Sequence, residues 1–160
     1  MGSDRSSWRV TLWAYAPILL WIGVIFFLSS PEGSMAETSR IIGPILHFIY
    51  PSITPEMEQL VHFYVRKTAH FTEYAILAFW IVRGCAMSAS GDLRKWRFIL
   101  AFLIVALIAS ADEFNQSFEI SRTSSPWDVL LDVTGGTAMI LFLLLIRRPR
   151  ITSEAEFAQQ

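Results

Sequence analysis

The chain has 160 residues, 53% of them hydrophobic against 17% charged, with a mean hydropathy of +0.44. Globular chains average about a quarter charged residues, so an ordinary water-facing domain is excluded, and the apolar content excludes disorder. A net charge of -1 excludes a nucleic-acid binder that works by bulk positive charge, and the single cysteine, Cys85, excludes an internal disulfide or a cysteine-rich zinc site.

The first element runs from Val10 to Ser30 without a single charge. A helix needs about 20 apolar residues to cross a bilayer core of roughly 30 Å, more than the apolar region of a secretory signal. The segment is therefore predicted to be a membrane span, left uncleaved because Pro31 follows Ser30 directly. Pro17 within it is tolerable where neighbouring helices re-satisfy the freed carbonyl.

Ser29 to Lys67 forms a long connection. Ile41 to Tyr50 is apolar but interrupted by Gly43 and Pro44, which predicts an interfacial or re-entrant piece rather than a span. Thr54, Pro55, Glu56 and Glu58 then carry a helix start: a capping hydroxyl, a proline in the first turn, and acids at the positive end of the dipole. That helix is expected to continue into the second span.

Three further apolar runs are each clipped by charge. Tyr74 to Val82 lies between Glu73 and Arg83, Phe98 to Ala111 between Arg97 and Asp112, and Val133 to Ile146 between Asp132 and Arg147. At 1.5 Å per residue the last two cover only about 21 Å. Each must draw its polar flanks to membrane depth. Arg97 and Arg147 can snorkel to headgroups, whereas His70, Glu73, Asp112, Glu113, Asp128 and Asp132 are left facing a bundle interior. Ser125 before Pro126 predicts the start of the last helix. Trp8, Trp13, Trp96 and Trp127 fall near span boundaries, where amphipathic rings are favoured.

The predicted fold is all-α: a polytopic membrane protein built as a four-transmembrane-helix bundle with short extracytoplasmic interfacial helices. Arg5, Arg9, Arg83, Arg94, Lys95, Arg97, Arg147, Arg148 and Arg150 share one side, which the positive-inside rule makes cytoplasmic. Residues 1–9 are then a cytoplasmic N-terminus, 10–148 the transmembrane domain with an external loop at 29–67, and 149–160 a cytoplasmic tail. The clipping acids and His70 fall together on the external side.

Polar residues recur there at helical spacing. Arg66, His70 and Glu73 follow at four and three residues, and Lys67, His70 and Tyr74 at three and four. Asp112 and Gln116 stand one turn apart with Glu113 alongside, and Asp128 and Asp132 repeat the spacing. Arg122, Ser124 and Ser125 belong to the loop expected to close over them.

The segment Arg66-Lys67-Thr68-Ala69-His70-Phe71-Thr72-Glu73-Tyr74 and the block from Asp112 to Val129, with Gln116, Arg122 and Asp128 in order, resemble the VanZ-like family. The resemblance extends through Asp132, Gly135 and Gly136 and covers roughly residues 29–148. Near Asp132 the family often carries an asparagine where this chain has an acid. The resemblance implies a small bacterial membrane protein of the cytoplasmic membrane, related to one associated with reduced susceptibility to the glycopeptide teicoplanin. It supplies no biochemical mechanism.

Three readings of the polar cluster follow. As a binding site, Arg66, Lys67 and Arg122 take the anionic headgroup of a membrane lipid or polyprenyl-linked envelope precursor, with His70, Glu73, Asp112, Glu113, Gln116, Asp128 and Asp132 orienting the cations and the ligand. This reading needs no cofactor and no nucleic acid, and places the main anion contact on Arg122. As an enzyme, His70, Glu73 or Asp112 acts as acid or base, or His70, Glu73, Asp112 and Asp128 hold a divalent metal. As structure, the cluster is an intramembrane salt-bridge network. His47 and His62 are expected in loop or interfacial positions, and Cys85 is expected to pack quietly.

Overall fold

The computed structural model describes residues 4–30, 35–118 and 125–147. These form five helices and no strand: α1 (Asp4–Leu28), α2 (Met35–Ile49), α3 (Pro55–Met87), α4 (Gly91–Gln116) and α5 (Pro126–Ile146). Three of them, over Trp8–Leu28, Gly91–Gln116 and Pro126–Ile146, are long and apolar enough to cross a membrane. That is one fewer than the four predicted. The central α3 is the longest helix at 33 residues, but Arg66, Lys67, His70, Glu73 and Arg83 keep it too polar to qualify by composition.

Helix ends follow local chemistry. Thr54 caps α3 by accepting from the Met57 N–H at 3.4 Å, with Pro55 in the first turn. The exposed Glu56 carboxyl there titrates below the ordinary glutamate value, through its backbone hydrogen bond and then Thr54. Ser125 caps α5 in the same way through the Trp127 N–H at 3.3 Å. The clipped runs are indeed extended by their flanks, since α4 carries on through Asp112 and Gln116 and α5 begins before Asp128.

The piece that carries Gly43 and Pro44 is one helix, α2, which runs through both and is not among the helices long and apolar enough to span. Gly43 is buried, and a Cβ there would meet the Glu58 carboxylate on α3 at 3.2 Å, so α2 lies close against α3 at this point. Glu58 also faces His47 of α2 at 3.4 Å and His62 at 3.7 Å, and His62, on α3 itself, is buried.

The bundle is organised around α3, which touches all four other helices. Its buried positions Tyr74, Leu77, Ala78, Ile81, Val82 and Cys85 follow a three-four spacing, as an apolar stripe must. Ala101, Val105 and Ala109 of α4 and Ile140 of α5 complete the core. Helices in lipid gain little from hydrophobic exclusion and associate through close packing at small residues. A Cβ on Gly135 would sit 2.2 Å from the Phe71 carbonyl oxygen, so α5 and α3 meet backbone to backbone. On Gly136 it would meet Val105 of α4 at 2.7 Å, and on Gly84 the Ala14 carbonyl of α1 at 2.7 Å.

These contacts fix directions. Trp13 receives a bond from Arg83, Trp21 donates to the Glu73 carbonyl at 2.8 Å, and Ser29 reaches Asp112. Thus α1 runs antiparallel to α3, while Lys67 to Phe71 pairs in ascending order with Asp128 to Gly135, making α5 parallel to α3. The outward surface is apolar: Leu19, Leu20, Leu103, Leu107 and Leu145 are exposed, as are Trp8, Trp13, Trp96 and Trp127. A surface so apolar suits lipid, not water.

Candidate functional site

The polar residues gather where the end of α1, the middle of α3, the end of α4 and the start of α5 converge. The same three-four stripes that supply the apolar core turn polar there: Tyr74 gives way to His70 on α3, Ala109 to Asp112 and Gln116 on α4, and Gly135 to Asp132 on α5.

Asp112 is the hub. It is 1% exposed, and its Oδ2 accepts from the Ser29 hydroxyl at 2.8 Å, the Gln116 amide at 2.9 Å and the Tyr74 hydroxyl at 3.3 Å. Gln116 also donates to the Ser29 oxygen at 3.3 Å and accepts from Arg66 at 3.1 Å. One carboxylate oxygen therefore ties α1, α3 and α4 together, and the guanidinium of Arg66 closes the network from above.

The other oxygen does none of this. Asp112 Oδ1 is buried without a hydrogen-bond partner, and so are Asp132 Oδ1 and His70 Nδ1. Asp132, also 1% exposed, faces His70 with these two atoms 3.4 Å apart, without hydrogen-bond geometry. One ligand atom from each of His70, Asp112 and Asp132 lies within 4.8 Å of the others. The metal set expected from sequence differs in two members. Asp128 is turned away to pair with Lys67, and Glu73 is outside the triad, its place being taken by Asp132.

Around this interior lies a rim. Lys67 and Asp128 form a close ion pair, with the ammonium 5.4 Å from the Phe63 ring. They line a cleft of about 450 Å³ together with Ser125, exposed Trp127 and Leu131. Glu113 is buried and is not a member of the triad; its Oε1 accepts from the Ser125 N–H at 2.6 Å, satisfying a donor at the start of α5.

On the opposite side, Trp21 and Leu28 of α1 and Val61 to Ile76 of α3 line an apolar groove of about 680 Å³. Glu73 is its acidic member, and its carboxylate also interacts electrostatically with His70, Asp112, Asp132 and Arg66.

Among the predicted site residues, the structure thus brings Arg66, His70, Glu73, Asp112, Gln116 and Asp132 together, sets Lys67 and Asp128 at the rim, and gives Glu113 to a helix start. Arg122, expected to make the main anion contact, lies outside the described residues, as does Ser124. Ser29 and Tyr74 were not among the predicted site residues. Tyr74 stands one turn beyond His70 on the same stripe, a signal the sequence did carry; Ser29 closes an apolar run and gives no such signal.

A family model described as VanZ/LLP1 matches residues 12–147, a stretch that contains every residue of the cluster. No curated protein and no solved structure matches the chain.

Proposed function

The chain belongs to the VanZ/LLP1 family, and from that premise we propose that it is a four-span protein of the bacterial cytoplasmic membrane that holds the headgroup of an anionic envelope lipid or polyprenyl-linked precursor. In this reading α3 is the fourth span. Arg66, Lys67 and His70 turn to partners on α4 and α5, so the average composition of α3 understates how apolar its lipid-facing side is. Both termini are cytoplasmic by the positive-inside rule, and the polar cluster opens to the external leaflet.

The observation that carries the reading is the shared position of Glu73. It belongs both to the apolar groove between α1 and α3 and to the electrostatic neighbourhood of His70, Asp112, Asp132 and Arg66. A lipid chain in that groove would bring its headgroup against the cluster. Arg66 supplies positive charge for a phosphate, and across the cluster the opposite rim adds Lys67 and the aromatic edge of Trp127. By family relationship, the phenotype to expect is altered susceptibility to teicoplanin.

The test is to fill the groove. Ala69 is exposed on α3 and lines it, so Ala69→Trp occupies the space without disturbing the core. Detergent-purified wild-type protein should retain a defined lipid class by mass spectrometry, and Ala69→Trp should lose it while remaining monodisperse. Retention of the same bulk lipid mixture by both would refute the reading. Conversion of added lipid extract to a new product, abolished by His70→Ala, would replace binding by catalysis.

A further inference from the structure

We propose that His70, Asp112 and Asp132 form a site for a divalent transition-metal ion, with zinc the ion their geometry suits best. Two acids and a histidine in a cluster would not by themselves make a site. Here, however, two carboxylate oxygens and one imidazole nitrogen are buried together without hydrogen-bond partners, although other polar groups around them are satisfied. Each unsatisfied buried group of this kind costs about 1–3 kcal/mol, more when charged. A ligand shared by all three removes the deficit.

The distances agree. His70 Nδ1 and Asp132 Oδ1 are 3.4 Å apart, long for a hydrogen bond. Metal bonds of about 2.0–2.2 Å at a tetrahedral centre place neighbouring ligand atoms about 3.4 Å apart. The Asp112 ligand atom, inside the 4.8 Å envelope of the triad, needs only a small side-chain shift to join them.

Charge points the same way. Among the described residues, Glu73, Asp112 and Asp132 share a single guanidinium, Arg66, since Lys67 is matched by Asp128, and buried Glu113 is taken up by the Ser125 N–H. If the three acids are ionised, two negative charges remain, and a divalent ion with a neutral His70 ligand balances them. Imidazole with carboxylates is a donor set for zinc and its first-row neighbours rather than for magnesium or calcium, which favour all-oxygen shells. Three protein ligands leave a fourth position open. On the lipid reading above, and resting on it, that position takes a phosphate oxygen of the headgroup.

The experiment is equilibrium dialysis of the full chain in detergent, stripped with a chelator and then exposed to zinc chloride, with bound metal measured by elemental mass spectrometry. One zinc per chain is expected. Loss of an outer-shell partner already lowers metal affinity about 10–100-fold, so the isosteric Asp132→Asn and Asp112→Asn should each weaken binding by at least about 100-fold. His62→Ala, which alters the separate Glu58 cluster, should leave the stoichiometry at one. Cobalt in place of zinc should give the strong visible absorption of a four-coordinate centre in the wild type, a readout independent of any variant's folding. No stoichiometric zinc in the wild type overturns the proposal, as does zinc lost in His62→Ala and kept in Asp132→Asn. Because dialysis is done without added lipid, a metal-free protein that still retains its lipid sinks this site and leaves the lipid reading intact.

Discussion

The same three helices, α3, α4 and α5, pack against one another at two ends of the bundle with opposite chemistry. At one end Leu77, Ile81, Val105 and Ile140 meet as an apolar layer; at the other Asp112, Gln116 and Asp132 are equally buried but polar. The apolar end, with the close approaches at Gly135 and Gly136, already supplies what helix association in lipid requires. The polar end adds a partly satisfied carboxylate cluster, which is an expensive adhesive: buried ion pairs are often no better than apolar replacements. On the binding reading proposed above, the polar end serves a ligand rather than helix association.

The largest effect should come from the boundary between the two ends. Gly135→Ala places a methyl against the Phe71 carbonyl, where no side chain can yield, so the loss should exceed the roughly 1–3 kcal/mol usual for overpacking. Thermal unfolding in detergent should show no cooperative transition from a native bundle. Gly23→Ala, with open space around it, should instead stabilise by about 0.5–1 kcal/mol, and a similar response at both positions would remove the close contact. Next, Leu77→Ala in the apolar layer should lower stability by about 2–5 kcal/mol through the cavity it leaves.

Asp112→Asn sharpens the comparison most. The amide oxygen can keep the bonds from Ser29 and Tyr74, and the amide nitrogen takes the position of the unpartnered Oδ1. Stability should change by about 1 kcal/mol or less while ligand retention falls. A loss above about 3 kcal/mol would mark the polar end as glue after all. The smallest stability effect is expected for Lys67→Ala, within about 1 kcal/mol because the pair with Asp128 is partly exposed. Co-purified lipid, measured by mass spectrometry, should nevertheless decline; unchanged lipid content would detach the rim from binding.

Much of the architecture was written in local chemistry. The starts of α3 at Thr54 and α5 at Ser125, the run of α1 through Pro17, and the need for α4 and α5 to carry acids within their length all follow from capping, spacing and the reach of a helix across a bilayer. Spacing also put His70 and Glu73, Asp112 and Gln116, and Asp128 and Asp132 on single helical sides, because three-four periodicity is a property of one helix alone.

Which residues meet between helices was a different matter. Spacing treats Asp128 and Asp132 alike, yet one pairs with Lys67 and the other faces His70, because Gly135 lets α5 lie against the α3 backbone at a particular height. Nothing local to Ser29 marks it as a donor to Asp112, and nothing local to Gly43 tells that it is buried beside Glu58 of α3. The sequence by itself determined the apolar composition, the helix starts and the polar stripes, since these depend on neighbours a turn or less away. The tertiary structure decided the seating of α2 against α3 at Gly43, the Asp112 hub and the grouping of His70 with Asp132, since these depend on how closely two backbones approach.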